Sequence, residues 1–266
     1  ALYDLKPENF ADGDISQTFK ESADGDWIRE GDNGLPDVLD EAMWLIKYYK
    51  RATDSLIAYG YSDGGVPGYV GVDAGDGEKP SWADKRPLAL KGGEMVLMTY
   101  RYAATAGWLA CCLANADPDS IYRDSTDWRA EAISAYAWAE NRGRDDESNV
   151  NQSKMEAAAV LYRLTADSAY QADFRQSVDR NGRFGNSSLW FNIQPWHFAA
   201  MVFAMIADDH PNLDLSLKQE CIDALIRRAD LEMVDTAAKR GFRYGVDENI
   251  LFMLGTFGTP KIFLSA

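Results

Sequence analysis

The chain has 266 residues, of which 46% are hydrophobic and 12% aromatic, so it is able to bury a substantial core and is not a disordered polypeptide. Its 42 acidic residues outnumber the 27 basic ones, and the formal net charge of -15 argues against partners that are themselves anionic, such as nucleic acid or an acidic membrane surface. No run of 18 uncharged apolar residues occurs, so no transmembrane helix is predicted.

The first strong helical pattern covers 34–59, where apolar residues recur at intervals of three and four. Pro36 suits the first turn of this helix, and Asp37 and Asp40 complement its amino-terminal dipole. Residues 60–87 contain seven glycines and three prolines, which predicts a long loop. Loops of this length inside compact domains are often functional.

Further helices are predicted along the rest of the chain, over 93–115, 125–143, 151–167, 168–178, 196–209, 216–239 and 246–255. A second polar and aromatic loop occupies 179–195. Three tryptophans inside helical patterns are expected in the core, namely Trp108, Trp128 and Trp138. About eight helices without convincing strand alternation predict an all-α fold, interpreted as a single domain over 1–266. Long loops after alternate helices favour a toroid of paired helices.

The cysteines and histidines show no spacing typical of a zinc site. Cys111, Cys112 and Cys221 are interpreted as buried thiols, with a disulfide between one of the adjacent pair and Cys221 as the alternative in a secreted protein. The two histidines, His197 and His210, form no HExxH motif or other paired spacing. No metal ligand set is therefore predicted, and no cofactor is expected to be required.

The stretches ESADGDWIREGDNGLPDVLDEAMW at 21–44 and DGGVPGYVG at 63–71 resemble two motifs of family 9 glycoside hydrolases, the ES-GNG-x-PD-x-LDEA-x-W signature and the GGV loop. Segments at 99–110, 133–140 and 157–170 are similar to later helices of the family. The resemblance implies an (α/α)6 toroid, here incomplete because about eight of twelve helices are found, which acts on a β-1,4-glucan. It also implies inversion, with one carboxylate activating water and a second carboxylic acid protonating the leaving oxygen.

The catalytic residues of the family fall in segments not matched here. Its base belongs to a DAGDYGKY motif before the PDVLDEA helix, and its acid lies near the end of the domain. Asp73 and Asp76 in VDAGDGEK carry the letters DAGD but follow that helix. We interpret them as a solvated turn, with a Ca²⁺ site and a catalytic role as alternatives. The catalytic carboxylates are expected outside this chain, in a longer polypeptide that has further segments or domains.

Substrate contacts are predicted where aromatic and planar polar side chains occur in loops, because sugar faces stack on rings and hydroxyls pair with charged groups. The candidates in the two loops are Trp82, Asp84, Arg86, Trp190, Trp196 and His197. A calcium site known from some family members is not expected, since its ligands correspond by resemblance to Gln152, Ser153 and Glu156. These residues supply few hard, charged oxygens.

The sequence therefore predicts a family-9-like, secreted, carbohydrate-active domain that binds a β-glucan polysaccharide and does not insert into membranes. Its amino-terminal stretch lacks a signal-peptide pattern, so we expect any leader to have been removed. Two alternatives remain open. One is a non-catalytic extracellular glycan-binding or structural protein on the same toroid. The other is a different (α/α)-toroid polysaccharide-degrading enzyme, because fold alone does not separate such activities.

Overall fold

The computed structural model describes residues 2–11, 18–20, 27–29, 35–71, 89–116, 126–143, 148–180, 184 and 195–230. These residues form eight α-helices, one 3-10 helix and four short strands. The chain is mostly helical, so the all-α prediction is confirmed. It divides into two compact units, Ala1–Arg144 and Asp145–Ala266. The prediction of one domain over 1–266 stays a prediction.

The first unit alternates helices with two pairs of strands. Its helices are α1 (Leu2–Leu5), a 3-10 helix (Pro7–Asn9), α2 (Asp37–Ala58), α3 (Val96–Asn115) and α4 (Trp128–Arg142). Its strands are β1 (Thr18–Lys20), β2 (Trp27–Arg29), β3 (Pro67–Gly71) and β4 (Ala89–Glu94). Both pairs, β1 with β2 and β3 with β4, are antiparallel.

The short strands were not predicted, because the sequence showed no convincing strand alternation. The strand β3 reads PGYVG and β4 reads ALKGGE, and neither alternates apolar with polar residues. Their register is irregular between Pro67 and Tyr69. Backbone hydrogen bonds, rather than a pattern of side chains, therefore define this two-stranded sheet. Such pairing is not predictable from the local sequence.

The core of the first unit lies between α3 and α4, which pack most extensively against each other. Buried alanines on both helices, such as Ala106 and Ala132, allow a close approach of the two backbones. Tyr100 and Tyr136 meet edge to face, with ring centroids 5.4 Å apart. Gly143, with φ of 60°, ends α4 in the left-handed conformation that its missing Cβ permits.

The three helical tryptophans do not share one environment. Trp128 is buried, so the core prediction is confirmed for it. Trp108 and Trp138 are only half-buried, and there the prediction was wrong. Each donates its indole N–H to a carboxylate, Trp108 to Asp4 at 2.8 Å and Trp138 to Asp63 at 2.6 Å. An indole donor needs an acceptor, which draws the ring toward the polar edge of the core.

One carboxylate links three helices of the first unit. The Lys50 ammonium of α2 lies 3.3 Å from Glu131 Oε1 on α4. The Tyr102 hydroxyl of α3 donates to Glu131 Oε2 at 3.2 Å. Tyr102 is only 7% exposed. Its burial, and then the charge of Glu131, raise the pKa of this phenol far above its ordinary value.

The segment that resembles the glycosidase signature is partly a packing element. Leu35, Asp37 and Leu39 are buried at the start of α2, and the Asp37 N–H donates to the Ala11 carbonyl at 3.2 Å. Trp44, further along the same signature, is 69% exposed. The signature therefore fixes the beginning of α2 against the unit and leaves the Trp44 ring in solvent.

The second unit consists of α5 (Ser148–Thr165), α6 (Ser168–Arg180), α7 (Pro195–Ala204) and α8 (Leu215–Ala229). Helix α5 packs on α6 and α7, and α7 packs on α8. Phe203 of α7 stacks on Phe174 of α6 at 4.4 Å and on Tyr162 of α5 at 5.8 Å. Three aromatic rings thus join three helices in its core. The predicted helix over 246–255 lies outside the described residues.

A polar turn joins α7 to α8. The Tyr162 hydroxyl donates to the Pro211 carbonyl at 2.8 Å, and Lys218 Nζ donates to the Ile206 carbonyl at 2.6 Å. The Asp214 carboxylate caps α8 by accepting from the Leu217 N–H at 3.0 Å and also binds Arg175. The Leu217 N–H, followed by Arg175, holds the pKa of Asp214 below its ordinary value.

The cysteines carry thiols in this structure. Cys112 and Cys221 are buried, which confirms the prediction for them, whereas Cys111 is half-buried. The alternative of a disulfide to Cys221 is not observed. Burial raises the pKa of the Cys221 thiol, so it is a poor nucleophile. Among the described helices, none is both long and apolar enough to cross a membrane.

The burial of Tyr102 beside the Glu131 carboxylate predicts a dependence of stability on alkaline pH. Because the folded pKa of Tyr102 is raised, its contribution is fully present below the unfolded value of about 10 and is lost as the pH rises through the folded value. Tyr102→Phe should cost about 1 kcal/mol of unfolding free energy at neutral pH. In this variant, the free energy of unfolding should fall less steeply above pH 10 than in the wild type. Urea unfolding at several pH values measures both.

A matched control is Tyr61→Phe, since the Tyr61 side chain is 77% exposed. This variant should unfold like the wild type at neutral pH. If Tyr102→Phe and the wild type lose stability in parallel above pH 10, ionisation of Tyr102 is not the source of the alkaline decline.

Candidate functional site

Four of the residues predicted to bind substrate lie outside the described part of the chain, namely Trp82, Asp84, Arg86 and Trp190. Asp73 and Asp76, interpreted as a solvated turn with a Ca²⁺ site and a catalytic role as alternatives, also lie outside it. Their predicted roles stay predictions.

Trp196 and His197 are the two predicted contacts that the structure describes. Both belong to the first turn of α7. Trp196 is 5% exposed, with its ring centroid 5.5 Å from that of Phe184 and 3.7 Å from that of His197. His197 is half-buried. Trp196 packs the beginning of α7 and presents little ring surface to a ligand, and the sugar contacts predicted for this pair stay predictions.

Uncharged polar side chains, with a buried lysine beside them, stand at two of the positions that correspond to the calcium site of some family members. Gln152 and Ser153 are buried on α5, and the neighbouring Lys154 is buried with its ammonium 3.9 Å from Asp173 Oδ1. A buried ammonium repels a second cation. In the part of the chain that the structure describes, no group of three or more His, Cys, Asp or Glu side chains is arranged to hold a metal ion.

The best-defined polar site is the segment Ser62–Val66, which we call the Gly-Gly loop. It contains the GGV residues of the resemblance and is separated from the end of α2 by three residues. Glu94, the last residue of β4, accepts three hydrogen bonds on Oε1. They come from the Ser62 hydroxyl, from the Asp63 N–H at 3.0 Å and from the Gly65 N–H at 3.1 Å. One side chain thus satisfies the donors that this turn leaves unpaired.

The far end of the Gly-Gly loop is joined to the start of α3. The Val66 N–H donates to Thr99 Oγ1 at 3.0 Å, and the Val66 carbonyl accepts from the Met95 N–H at 3.0 Å. The Thr99 hydroxyl donates in turn to the Met95 carbonyl at 2.9 Å. Val66 and Thr99 are both buried. The loop is therefore fixed to the core at this end and carries its polar groups on a rigid base.

Asp63 projects outward from the loop and forms a second group of contacts, on α4. Its Oδ1 accepts from Trp138 Nε1 at 2.6 Å, and Arg142 lies 2.5 Å from its Oδ2. The Arg142 guanidinium carbon is 4.8 Å from the centre of the Trp138 ring, a cation–π distance. The indole N–H, followed by the guanidinium, holds the pKa of Asp63 below its ordinary value. Asp63 nevertheless stays 68% exposed.

The two glycines of the loop are required by the approach of the Trp138 ring. A Cβ on Gly65 would lie 2.3 Å from Trp138 Cζ2 and 2.8 Å from Glu94 Cβ, closer than atoms approach. A Cβ on Gly64, where φ is +133°, would lie 3.1 Å from Trp138 Cδ1. The loop backbone is therefore packed against the indole, and only glycine fits both positions.

Two exposed tyrosines precede the loop. Tyr59 and Tyr61 are each 77% exposed, the highest values among the large apolar side chains that the structure describes. Gly60 between them adopts φ of +74° and ends α2. The Gly60 N–H donates to the Ile57 carbonyl at 2.9 Å and the Tyr61 N–H to the Leu56 carbonyl at 2.8 Å. This pair of bonds is a Schellman motif, which fixes the backbone under both rings.

Glu94 and Asp63 each accept hydrogen bonds from several donors. The surface presents an exposed carboxylate, a guanidinium, an indole edge and phenol rings, which suit a hydroxyl-rich ligand.

Sequence reasoning identified the GGV residues but missed their partners Glu94, Trp138 and Arg142. The intervals of 29 and more residues that separate them carry no local signal. The spacing of Trp138 and Arg142, four residues apart on one helix, is the only hint in the sequence that they act together.

Comparison of the chain with protein-family models, with curated proteins and with solved structures found no significant match.

The packing of the Gly-Gly loop predicts a steric effect at Gly65. Gly65→Ala should lower the free energy of unfolding by about 1–3 kcal/mol, because its Cβ overlaps with the Trp138 ring. It should also change the near-ultraviolet circular dichroism of that ring. Gly60→Ala is the control for backbone strain, since Gly60 has a positive φ and no atom within 4 Å of its Cβ position. This variant should cost about 1 kcal/mol without the spectral change.

The lowered pKa of Asp63 predicts the pH at which its contacts with Trp138 and Arg142 are lost. The contribution of the ionised carboxylate is present above the ordinary value of about 3.9 and is lost as the pH falls through the lower folded value. The Trp138 indole N–H resonance, assigned with Trp138→Phe, should therefore stay constant down to about pH 4. Asp63→Asn should abolish the change in the chemical shift of this resonance that the wild type shows below about pH 4. An identical acid transition in Asp63→Asn would exclude Asp63 as its source.

Proposed function

We propose that the chain is a carbohydrate-active domain similar to inverting β-1,4-glucan hydrolases, and that its Gly-Gly loop contributes to the glycan-binding surface. The observation that carries the proposal is the loop itself. Its GGV residues are held by Glu94, Thr99 and Trp138, and Asp63 remains exposed at its tip. A fixed backbone with an exposed, planar hydrogen-bonding group is suited to a ligand rich in hydroxyls.

The placement of the other family-like segments supports the same proposal. The PDVLDEA segment begins α2, and the segments at 99–110 and 133–140 lie within α3 and α4. The segment at 157–170 covers the end of α5 and the beginning of α6. We propose that these helices belong to an (α/α)6 toroid, of which the chain supplies the central part.

The charge of the chain favours a neutral glycan. A net charge of -15 repels uronate-rich polysaccharides as well as nucleic acid and anionic lipid. The Arg142 guanidinium beside the loop is engaged by Asp63. A β-glucan carries no charge, so its binding does not require an excess of basic residues. We accordingly propose an extracellular β-glucan as the ligand, with no cofactor.

A second candidate function is glycan binding without hydrolysis. The hydrogen bonding of Glu94 and Asp63 favours it, because each carboxylate already accepts from two or more groups. Hydrolysis with inversion requires a base and an acid about 6.5–9.5 Å apart with room for water. We propose that such a pair comes from segments other than the Gly-Gly loop, and that this chain binds without turnover.

Affinity electrophoresis and a reducing-sugar assay together test the function. The 266-residue chain should be retarded in gels that contain barley β-glucan and not in gels that contain polygalacturonate, and it should release no reducing ends. Failure to bind barley β-glucan would contradict the proposal. Release of reducing ends that Asp76→Asn abolishes would instead place catalysis in the VDAGDGEK stretch.

A further inference from the structure

We infer that Tyr59 and Tyr61 form an aromatic platform on which an uncharged β-linked glucan chain stacks. The inference rests on the proposed function and names residues for its ligand contact. Its observation is separate from the family resemblance, because both tyrosines precede the GGV segment. Each side chain is 77% exposed, and the neighbouring Ile57 is 46% exposed.

Tyr59 and Tyr61 differ from the exposed Trp44 in lying two residues apart, directly before the polar Gly-Gly loop. Large aromatic side chains contribute most to stability when they are buried, and these two leave most of their rings in water. Their positions are not free termini, because the Schellman motif at Gly60 fixes both backbone units. A ring on a fixed backbone loses little conformational entropy when a ligand binds, which makes it an efficient contact.

The segment that follows supplies the hydrogen-bonding groups that a sugar requires. Ser62 and Asp63 come directly after Tyr61, and the Asp63 carboxylate is 68% exposed while held by Trp138 and Arg142. Stacking on tyrosine rings depends little on which sugar is bound. A fixed carboxylate, in contrast, accepts hydrogen bonds from hydroxyl groups in a defined direction. Rings followed by a rigid polar loop are therefore suited to a linear glycan whose apolar faces and hydroxyls alternate.

The charges at this surface select against acidic ligands. Asp63 is kept ionised by its neighbours, and the Arg142 guanidinium that faces it is already paired. A uronate approaching the tyrosines would meet the negative field of a chain with a net charge of -15. The ligand class is thus a neutral glucan, and its affinity should depend little on salt, because no ion pair is formed.

Isothermal titration calorimetry with cellohexaose, and affinity electrophoresis with barley β-glucan, test the inference. The double variant Tyr59→Ala with Tyr61→Ala should weaken binding about tenfold or more. The double phenylalanine variant should retain most of the affinity, because it keeps the rings. Binding of the wild type should be unchanged between about 50 mM and about 500 mM NaCl.

The matched control is Trp44→Ala, which removes another aromatic ring that is 69% exposed on α2. This variant should bind like the wild type, and thermal unfolding should show that all variants are folded. Wild-type binding with an unaffected double alanine variant, or equal losses in Trp44→Ala, would overturn the platform alone. No binding by the wild type would overturn the proposed function with it. A change in self-association without a change in glucan affinity would identify a protein interface and overturn the inference.

Discussion

Carboxylates accept the hydrogen bonds that hold the elements of each unit together. Polar groups that leave water must find partners, and in this chain acidic side chains supply them. Glu131 links α2, α3 and α4 through Lys50 and Tyr102. Glu94 accepts the hydrogen bonds of the Gly-Gly loop, and Asp214 caps α8. The described carboxylates that accept in this way include Asp4, Asp63, Glu94, Glu131, Glu140, Asp208 and Asp214. Part of the excess of acidic residues therefore stabilises the fold.

Within this framework, the Gly-Gly loop connects the core of the first unit with its surface. Val66 and Thr99 are buried, whereas Asp63 three residues earlier is exposed. Between them, Gly65 lies against the Trp138 ring, so the path of the backbone is set by packing as well as by hydrogen bonds. The exposed Asp63 is thus held in place by the contacts of the loop with α3 and α4. Such preorganisation reduces the entropy that a ligand must offset on binding.

The helices were predictable from the sequence because their burial has a period. The pattern over 34–59 contains α2, and the pattern over 168–178 begins where α6 begins. The strands β3 and β4 were not predictable, because their pairing joins glycine-rich segments that are distant in sequence. Similarly, Trp138 reads as a core residue by its position in α4, and only the location of Asp63 explains its half-buried state. Local periodicity does not encode contacts across 75 residues.

The close packing of Gly65 on Trp138 has a consequence for how homologous sequences are able to vary. A side chain at position 65 is admissible only if position 138 has first become smaller, because the Cβ and the indole compete for the same space. Loss of the tryptophan in that first step leaves a void beside Gly65 and removes one of the donors to Asp63. Divergence along this lineage therefore passes through a less stable intermediate. Glycine at 65 and tryptophan at 138 should be inherited as a pair.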